Sequence, residues 1–300
     1  LVKAGYSVKV WNRTRSKAEP LQDSGAILVD QPSDLAGVDV LATMVSTGRD
    51  VEQLYFGDDG VLSGTGMPKI FLDFSSIGVD QSAEIRKSLA DKGSELVCCP
   101  VSGNGKCVKA GKLSAVASGP KAAFEQVEDI ISSIAAMGVS YVGEGELARF
   151  CKIAHNIMLG VVTQNLAEIT ILAQKAGVPR RAFLDFMNNS VMGSVFTRYK
   201  TNAFVNLDWT TTFTPTLLRK DLDLGLSAGR EFNVPMPVTA AMREALQSHF
   251  GAANLKNDPD SYIEGDFAAL LETVALASGI ELESENSPYP TGLEIPQASE

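Results

Sequence analysis

Short apolar runs alternate with amphipathic stretches along the first half of the chain. The apolar runs predict β-strands over residues 7–11, 38–45, 70–74, 95–99, 112–118 and 140–142. Between them, apolar residues at helical spacing predict helices over residues 15–22, 51–56, 80–91 and 120–136. Strands that alternate with helices indicate a mostly parallel sheet covered on both faces, which is the doubly wound α/β architecture.

The second half of the chain follows a helical pattern. A long helix is predicted over residues 147–175, and Gly177 and Pro179 end it. Further helices are predicted over residues 180–188, 217–231, 237–250 and 266–278. We therefore predict an α/β domain over residues 1–143 and an all-α domain over residues 144–279.

The last residues, 280–300, have a different composition. From residue 281 onward they contain five Glu and three Pro, without Lys or Arg. A segment with so little apolar surface and a high net charge is predicted to be a disordered acidic tail.

Composition excludes several function classes. The net charge of −10 argues against a nucleic-acid partner. Four Cys without a C-x-x-C pair, together with two His, predict no structural metal site. Few unpatterned Cys suit a reducing compartment, so we expect a cytoplasmic protein, with an organelle matrix as the alternative. Since no apolar run approaches the roughly 20 residues of a membrane span, we expect no membrane partner.

Small polar residues follow four of the predicted strands. In a doubly wound sheet, ligands bind at the carboxyl ends of the strands. Arg13 follows the first strand, where an Arg suits a 2′-phosphate, whereas a solvated turn with Thr14 as a helix cap is the simpler reading. The four polar segments are 12–15, 45–48, 75–77 and 100–105.

The start of the chain lacks one element of such a fold. Residues 1–5 are predicted to be the last turn of a helix stopped by Gly5. A G-x-G-x-x-G turn, which cradles a pyrophosphate, does not precede them. We expect that the chain as given has lost a strand, its Gly-rich turn and most of a helix.

Three polar side chains share one face near the start of the long predicted helix. Lys152, His155 and Asn156 are three and four residues apart, so they lie close together on an otherwise apolar helix. Such a cluster is costly to desolvate without partners. It is either a solvated stripe or the wall of a polar cleft.

Six motifs, in order, resemble the β-hydroxyacid dehydrogenases, and the resemblance covers about residues 1–278. Lys152 to Asn156 resembles the K-x-x-N-N motif of that family, and residues 73–77 resemble its D-x-S-[ST]-[IV] motif. The other four are residues 1–14, the F-G-x-x-G-[VI] segment 56–61, the substrate loop 100–103 with 110–113, and the L-x-x-K-D-L segment 217–222.

The resemblance implies an NAD(P)-dependent oxidoreductase with a Rossmann-like first domain that transfers hydride to or from a small hydroxy acid or semialdehyde. Lys152 is implied as general acid/base and Asn156 as an orienting residue; a lysine suits this role because desolvation lowers the pKa of an ammonium group. The implied substrate-binding residues are Ser102, Gly103 and Asn104. The implied cofactor-binding residues are Asn12, Arg13, Thr14, Met44, Val45, Ser46, Ser76 and Lys220, with NADP as the expected cofactor, NAD as the alternative and no metal.

Two departures from the family pattern point to an atypical substrate. Asn104 replaces the second Gly of the substrate loop, and His155 replaces the first Asn of the N-N pair. Two alternatives remain open: an imine reductase, which usually dispenses with the lysine, and an inactive relative that acts as an oligomeric scaffold. We expect a homodimer or homotetramer, formed through the helical half.

Overall fold

The computed structural model describes residues 1–294 of the chain. Its strands are β1 (Lys9–Val10), β2 (Ile27–Leu28), β3 (Val40–Thr43), β4 (Ile70–Asp73), β5 (Glu95–Cys98), β6 (Val101–Ser102), β7 (Ser114–Ala117) and β8 (Val139–Tyr141). Its α-helices are α1 (Gly48–Phe56), α2 (Val79–Ala90), α3 (Gly105–Lys109), α4 (Lys121–Ile134), α5 (Leu147–Lys175), α6 (Arg180–Asn189), α7 (Val195–Asn206), α8 (Pro215–Glu231), α9 (Pro237–Ala253), α10 (Pro259–Glu264) and α11 (Leu270–Ala277).

The chain divides into two compact units. The first contains residues 1–103 and 111–152, and the second contains residues 104–110 and those from 153 onward. The division falls inside α5, after Lys152, whereas the sequence placed the boundary at residue 143. A long helix gives no local signal of where its neighbours change, which explains the difference.

The first unit has the parallel strands of a doubly wound fold. β3, β4 and β5 pair in parallel, with Val40 opposite Ile70 and Ile70 opposite Glu95. β1 pairs in parallel with β2, while β7 pairs in parallel with β8 and antiparallel with β6. All four residues of β4 are buried, as expected for a strand covered on both faces. The predicted α/β fold class is confirmed.

Two apolar clusters lie on opposite faces of these strands. Phe71 packs with residues of α1 and α2, including Val51 and Ile85. Its neighbour Leu72 packs with residues of α4, including Phe124 and Ile131. Successive side chains of a strand point to opposite faces, so one apolar run supplies both clusters.

In the second unit, α8 approaches α5 closely. A Cβ at Gly225 would lie 2.2 Å from Cδ1 of Ile157, so a larger residue could not occupy this position without movement. Gly160 meets Leu218 in the same way, at 2.9 Å. This close packing brings Asn156 of α5 next to Asp221 of α8.

α5 also has the length and composition of a membrane span, contrary to the expectation from its apolar runs. Of its most apolar 18-residue window, 39% is buried inside the protein. Core helices of soluble proteins meet the same criterion. The polar residues Asn156, Thr163 and Thr170 of α5 are themselves buried.

Several elements depart from the sequence predictions. The predicted helix 15–22 forms two 3₁₀ turns, Arg15–Lys17 and Glu19–Ser24. The short β2 and the polar helix α7 lacked a periodic signal. α7 begins instead at a capping box, in which the Ser194 hydroxyl accepts from the Thr197 N–H.

The predicted disorder of residues 280–300 is wrong for the part that the structure describes. Residues 280–294 form no helix or strand, but Tyr289 and Leu293 are buried. The Glu285 carboxylate accepts from the backbone N–H groups of Arg180 and Arg181, at 2.8 and 2.9 Å. Specific polar contacts thus compensate for the low apolar content on which the prediction rested. The rest of the predicted tail, residues 295–300, lies outside the described residues.

Candidate active site

A large cleft in the first unit collects most of the predicted cofactor residues. Its volume is about 1070 Å³. It runs along the whole length of β1 and β3, which belong to separate sheets, and is also lined by the segments before and after these strands. Six predicted cofactor residues contribute to this lining: Asn12, Arg13, Thr14, Met44, Val45 and Ser46. The loops at the carboxyl ends of these strands therefore border one cavity, which also extends between the strands themselves.

Local hydrogen bonds shape the two loops that line the cleft. The Asn12 side-chain carbonyl accepts from the N–H of Thr14 at 2.8 Å, which closes the turn after β1. Arg13 projects from this turn with 84% of its side chain exposed, and its Nη1 lies 3.5 Å from Asp50. The exposed guanidinium is available to an anionic group at the cleft.

The second loop is joined to the segment after β4. The N–H of Val45 donates to Oγ of Ser75 at 2.9 Å, and the N–H of Ser75 donates to Oδ1 of Asp73 at 3.1 Å. Ser76, the next predicted cofactor residue, follows directly. It is not part of the cleft lining.

Lys152 is half-buried and lies in the second turn of α5. Three residues earlier, Arg149 forms a buried ion pair with Asp73, with 2.6 Å between Nη2 and Oδ2. Burial alone would lower the pKa of Arg149, but the neighbouring acidic groups, Asp73 foremost, together outweigh it and raise that pKa, so the guanidinium is charged. The start of the helix that carries Lys152 is thus attached to the end of β4.

Glu146, just before α5, forms a second ion pair. Its carboxylate accepts from Nε of Arg86 at 2.7 Å and also from the Ser82 hydroxyl. Burial raises the pKa of Glu146, but the hydrogen bonds from Arg86 and Ser82 outweigh it, so the net shift is downward. Two ion pairs therefore hold the beginning of this helix.

In the second unit, Asn156 belongs to a chain of polar side chains. Its Nδ2 donates to Oδ2 of Asp221 at 2.6 Å, and its Oδ1 lies 2.9 Å from Nδ1 of His155. Nζ of Lys220 lies 3.5 Å from Oδ1 of Asp221. Two predicted site residues, Asn156 and Lys220, thus meet at one carboxylate.

The three predicted substrate-binding residues follow one another in the loop after β6, and each has a different local role. Ser102 ends β6, and Gly103 has a φ of 130°, which disfavours any residue with a Cβ. The Asn104 side-chain carbonyl caps α3 by accepting from the N–H of Lys106 at 2.9 Å. Among the described residues, the buried Nδ2 of Asn104 has no hydrogen-bond partner. The Asn104 side chain therefore caps a helix with its Oδ1, while its Nδ2 remains available as a hydrogen-bond donor.

Sequence reasoning missed several residues of these networks, among them Asp73, Arg149 and Asp221. Asp73 and Asp221 stand inside quoted motifs, and an Arg within an apolar helix pattern signals a buried counter-charge. None of these signals identifies the partner. Within residues 1–294, no group of three or more His, Cys, Asp and Glu is placed to hold a metal ion.

Two family models match the chain, one in each half. Residues 1–143 match the NAD binding domain of 6-phosphogluconate dehydrogenase, and residues 146–264 match the NAD-binding domain of NADP-dependent 3-hydroxyisobutyrate dehydrogenase. Together these models extend over both the α/β half and most of the helical half.

The chain is also similar to individual proteins, a nuclear factor and an oxidoreductase among them. The cytokine-like nuclear factor N-PAC of Homo sapiens is 30% identical over 250 residues, which are 82% of this chain and 45% of that protein. This chain thus spans about half the length of that relative. An uncharacterized oxidoreductase of Bacillus subtilis is 27% identical over 91% of this chain and 93% of its own length.

A solved structure shows the same fold over almost the whole chain. It is a 3-hydroxyisobutyrate dehydrogenase from Salmonella typhimurium, which superimposes with a TM-score of 0.80 at 23% identity. The superposition covers 90% of this chain and 92% of that one. The fold, the two family models and the order of the motifs agree: the chain belongs to the β-hydroxyacid dehydrogenase family of NAD(P)-binding oxidoreductases.

Proposed function

We propose that the protein is an NADP-dependent reductase of a small carbonyl acid, such as a semialdehyde or glyoxylate, with Lys152 as general acid/base. One observation carries the proposal. Arg149, in the first turn of the helix that bears Lys152, attaches this helix to Asp73, at the carboxyl end of β4. The loops of the cofactor cleft lie at this end of the strands, and Ser75 joins one of them to Asp73.

The loops at the carboxyl ends of β1 and β3 offer groups that suit a nicotinamide dinucleotide. They border the cleft described above. Arg13 at its edge offers a guanidinium to the 2′-phosphate that distinguishes NADP from NAD. Ser76 and Lys220 are proposed to contact the cofactor as well. When bound, the nicotinamide supplies or accepts the hydride.

Lys152 handles the proton of the proposed reaction. Its ammonium donates a proton to the carbonyl oxygen during reduction, and its amine takes the hydroxyl proton in the reverse direction. Asn156, one turn further along α5, orients the substrate or the lysine. Asp221 supports this role because its carboxylate holds the Asn156 amide in one orientation.

Neutral donors are proposed to bind the substrate carboxylate. They are the Ser102 hydroxyl, the backbone at Gly103 and the Asn104 side chain. The buried Nδ2 of Asn104, which lacks a partner among the described residues, supports this assignment because an unpaired buried donor is costly. Binding by neutral groups leaves Lys152 as the proton-transferring cation.

A second candidate function is an oligomeric scaffold. Phe186, Val191, Met192 and Val195 lie within ten residues of the second unit, and all are exposed, Val191 to 99%. Exposed apolar side chains this close together favour an interface, here a homodimer or homotetramer. The enzyme is favoured instead by three retained site residues, Lys152, Asn156 and Ser102. Lys152 also argues against an imine reductase, since those enzymes usually dispense with the lysine.

Cofactor binding and turnover separate these functions. NADPH and NADH are titrated by calorimetry, and short aldehyde acids, short keto acids and a cyclic imine are screened for turnover. A protein that forms oligomers but binds neither cofactor, also in a chain that includes the Gly-rich turn, refutes the enzyme proposal. Turnover of the imine alone selects the imine reductase.

The role of Lys152 is tested with Lys152→Met. We expect kcat to fall by about 10²-fold or more with the affinity for NADPH little changed, because only proton transfer is lost. Lys175→Met, at the other end of the same helix, is the matched control and should keep full activity. Undiminished turnover by Lys152→Met would show that another group transfers the proton.

A further inference from the structure

Arg149 is almost completely buried, and each nitrogen of its guanidinium has an acceptor. Both Arg149 and Asp73 have side chains that are only 1% exposed. Nη2 donates to Oδ2 of Asp73 at 2.6 Å, Nη1 donates to the backbone carbonyl of Ser75, and Nε donates to the Ser82 hydroxyl at 3.1 Å. The side chain is therefore fixed in position and rotation.

Ser75, whose carbonyl accepts a hydrogen bond from Arg149, also binds the loop after β3, which contains the predicted cofactor residues Met44, Val45 and Ser46. Its Oγ accepts from the N–H of Val45 at 2.9 Å, and its own N–H donates to Oδ1 of Asp73 at 3.1 Å. Val45 lines the cleft of the first unit. A continuous set of hydrogen bonds thus runs from the wall of the cleft to Arg149.

Other contacts hold the backbone at the beginning of α5. The carbonyl of Gly145 accepts from Arg86 and from the Ser118 hydroxyl, both at 2.8 Å. The N–H of Ala148 donates to Oγ of Ser118 at 3.0 Å. These contacts are to the backbone before and within the first turn. Arg149, in contrast, makes its contacts through its side chain, and it lies on the helix itself, three residues before Lys152.

We propose that Arg149 is a positioning residue that couples the cofactor loop around Val45 to Lys152. This inference rests on the proposed function, since it assumes that Lys152 transfers the proton. A buried ion pair often stabilises a fold no more than apolar residues of the same size would. What it supplies here is orientation: the planar guanidinium has three separate acceptors, which a lysine ammonium cannot reach in the same geometry.

The test needs variants that still fold. Arg149→Ala would leave the Asp73 carboxylate buried without a cation, so it does not separate positioning from stability. Arg149→Lys keeps the charge but loses the planar set of donors, and the double variant D73N/R149Q replaces the ion pair by two amides. Arg180→Lys is the matched control, because Arg180 is equally buried, in the second unit, and donates to backbone carbonyls.

The first measurement is steady-state reduction of succinic semialdehyde or glyoxylate with NADPH. We expect R149K and D73N/R149Q to lose about 10²-fold in kcat, the size that follows from misplacing a catalytic group by about 1 Å. KM for NADPH should change little, the pH profile of kcat should shift, and R180K should retain the wild-type kcat. A wild-type kcat and pH profile in folded R149K overturn the inference.

The second measurement does not depend on activity. Hydrogen exchange in the full chain is followed at the amide of Val45 and at residues 148–152. We expect both to exchange faster in R149K and neither to change in R180K. Unchanged exchange at Val45 in R149K overturns the coupling, even if the wild-type protein fails to turn over any substrate, an outcome that refutes the proposed function separately.

Discussion

Asn156 donates a hydrogen bond of 2.6 Å to Asp221, between two residues that are only 4% and 3% exposed. A carboxylate can only accept, so the Asn156 amide must turn its Nδ2 toward Asp221. Its Oδ1 then faces His155 and accepts from Nδ1, at 2.9 Å. Asp221 thus sets the amide orientation and places a proton on Nδ1 of His155.

The substitution Asn156→Asp should make this pair repulsive. Two carboxylates about 2.6 Å apart cannot both be ionised, so we expect the free energy of unfolding at pH 7 to fall by about 3 kcal/mol. The loss should shrink at pH 5, because protonation of one carboxyl group restores a donor. Denaturant unfolding at the two pH values measures both effects.

The double variant N156D/D221N is the control for this prediction. It reverses the pair, with the carboxylate on α5 and the amide on α8, so stability at pH 7 should largely return. If N156D is as stable as the wild type at pH 7, Asn156 and Asp221 do not interact in solution.

The sequence predicted those parts of the site that depend on local order. Lys152 and Asn156 follow from the period of one helix, and the loop at Arg13 follows from the end of one strand. The partners did not follow, because Asp73 and Arg149 are 76 residues apart, and Asn156 and Asp221 are 65 apart. Which distant charges meet is decided by packing, for example by the close approach at Gly225.

For the fold, too, the sequence predicted local periodic structure but not the contacts between distant segments. Periodic helices such as α5 were predicted with their full length, because an apolar face repeats along them. The segment 280–294 was predicted to be disordered, since composition reports only apolar burial. It is held instead by polar contacts: Asn202 donates to the carbonyl of Tyr289 at 2.7 Å and accepts from its N–H at 2.8 Å.

His249 should make stability depend on pH. It is fully buried in α9, with Nδ1 2.9 Å from the Thr273 hydroxyl and its ring 4.8 Å from that of Tyr262. Burial lowers the pKa of His249 to about 4; Glu272 opposes this shift and Lys256 adds to it. The unfolded chain therefore binds this proton more readily than the folded one.

The sign of the His249 effect follows directly. Its contribution is complete above pH 6.5, the ordinary pKa of the side chain, and is lost as the pH falls toward 4. We expect a loss of about 3 kcal/mol across this window, measured by urea unfolding. His249→Gln keeps a hydrogen-bonding group without a titrating one and should flatten this part of the profile. An equally steep profile in H249Q would assign the effect to another group.

Glu285 should hold the C-terminal segment on α6. Its carboxylate accepts from the first two backbone N–H groups of that helix, which have no partner within the helix. We expect Glu285→Ala to lower the free energy of unfolding by about 1 kcal/mol and to speed protease cleavage within residues 281–294. Glu281→Ala, an exposed acidic residue in the same segment, is the control. Equal cleavage rates in the two variants would contradict a role for the Glu285 cap.

Arg13 should distinguish NADPH from NADH. Its side chain is exposed at the edge of the cleft and has one carboxylate neighbour, Asp50 at 3.5 Å, so it can turn to a phosphate at little cost. A hydrogen bond to a charged group contributes about 1.5–3 kcal/mol, so Arg13→Ala should weaken NADPH binding by roughly 10- to 150-fold. NADH binding should be unchanged, since NADH carries no 2′-phosphate. Calorimetric titration of both cofactors measures the difference.

The matched control for this prediction is Arg49→Ala. Arg49 lies in the first turn of α1, is exposed and does not line the cleft. Its loss changes the net charge by the same amount, so it reports the long-range electrostatic effect alone, which falls with ionic strength. If Arg13→Ala and Arg49→Ala weaken NADPH binding equally, Arg13 acts only through net charge. If Arg13→Ala weakens NADH binding as much as NADPH binding, Arg13 binds a part of the cofactor that both share, and the proposed preference for NADP is wrong.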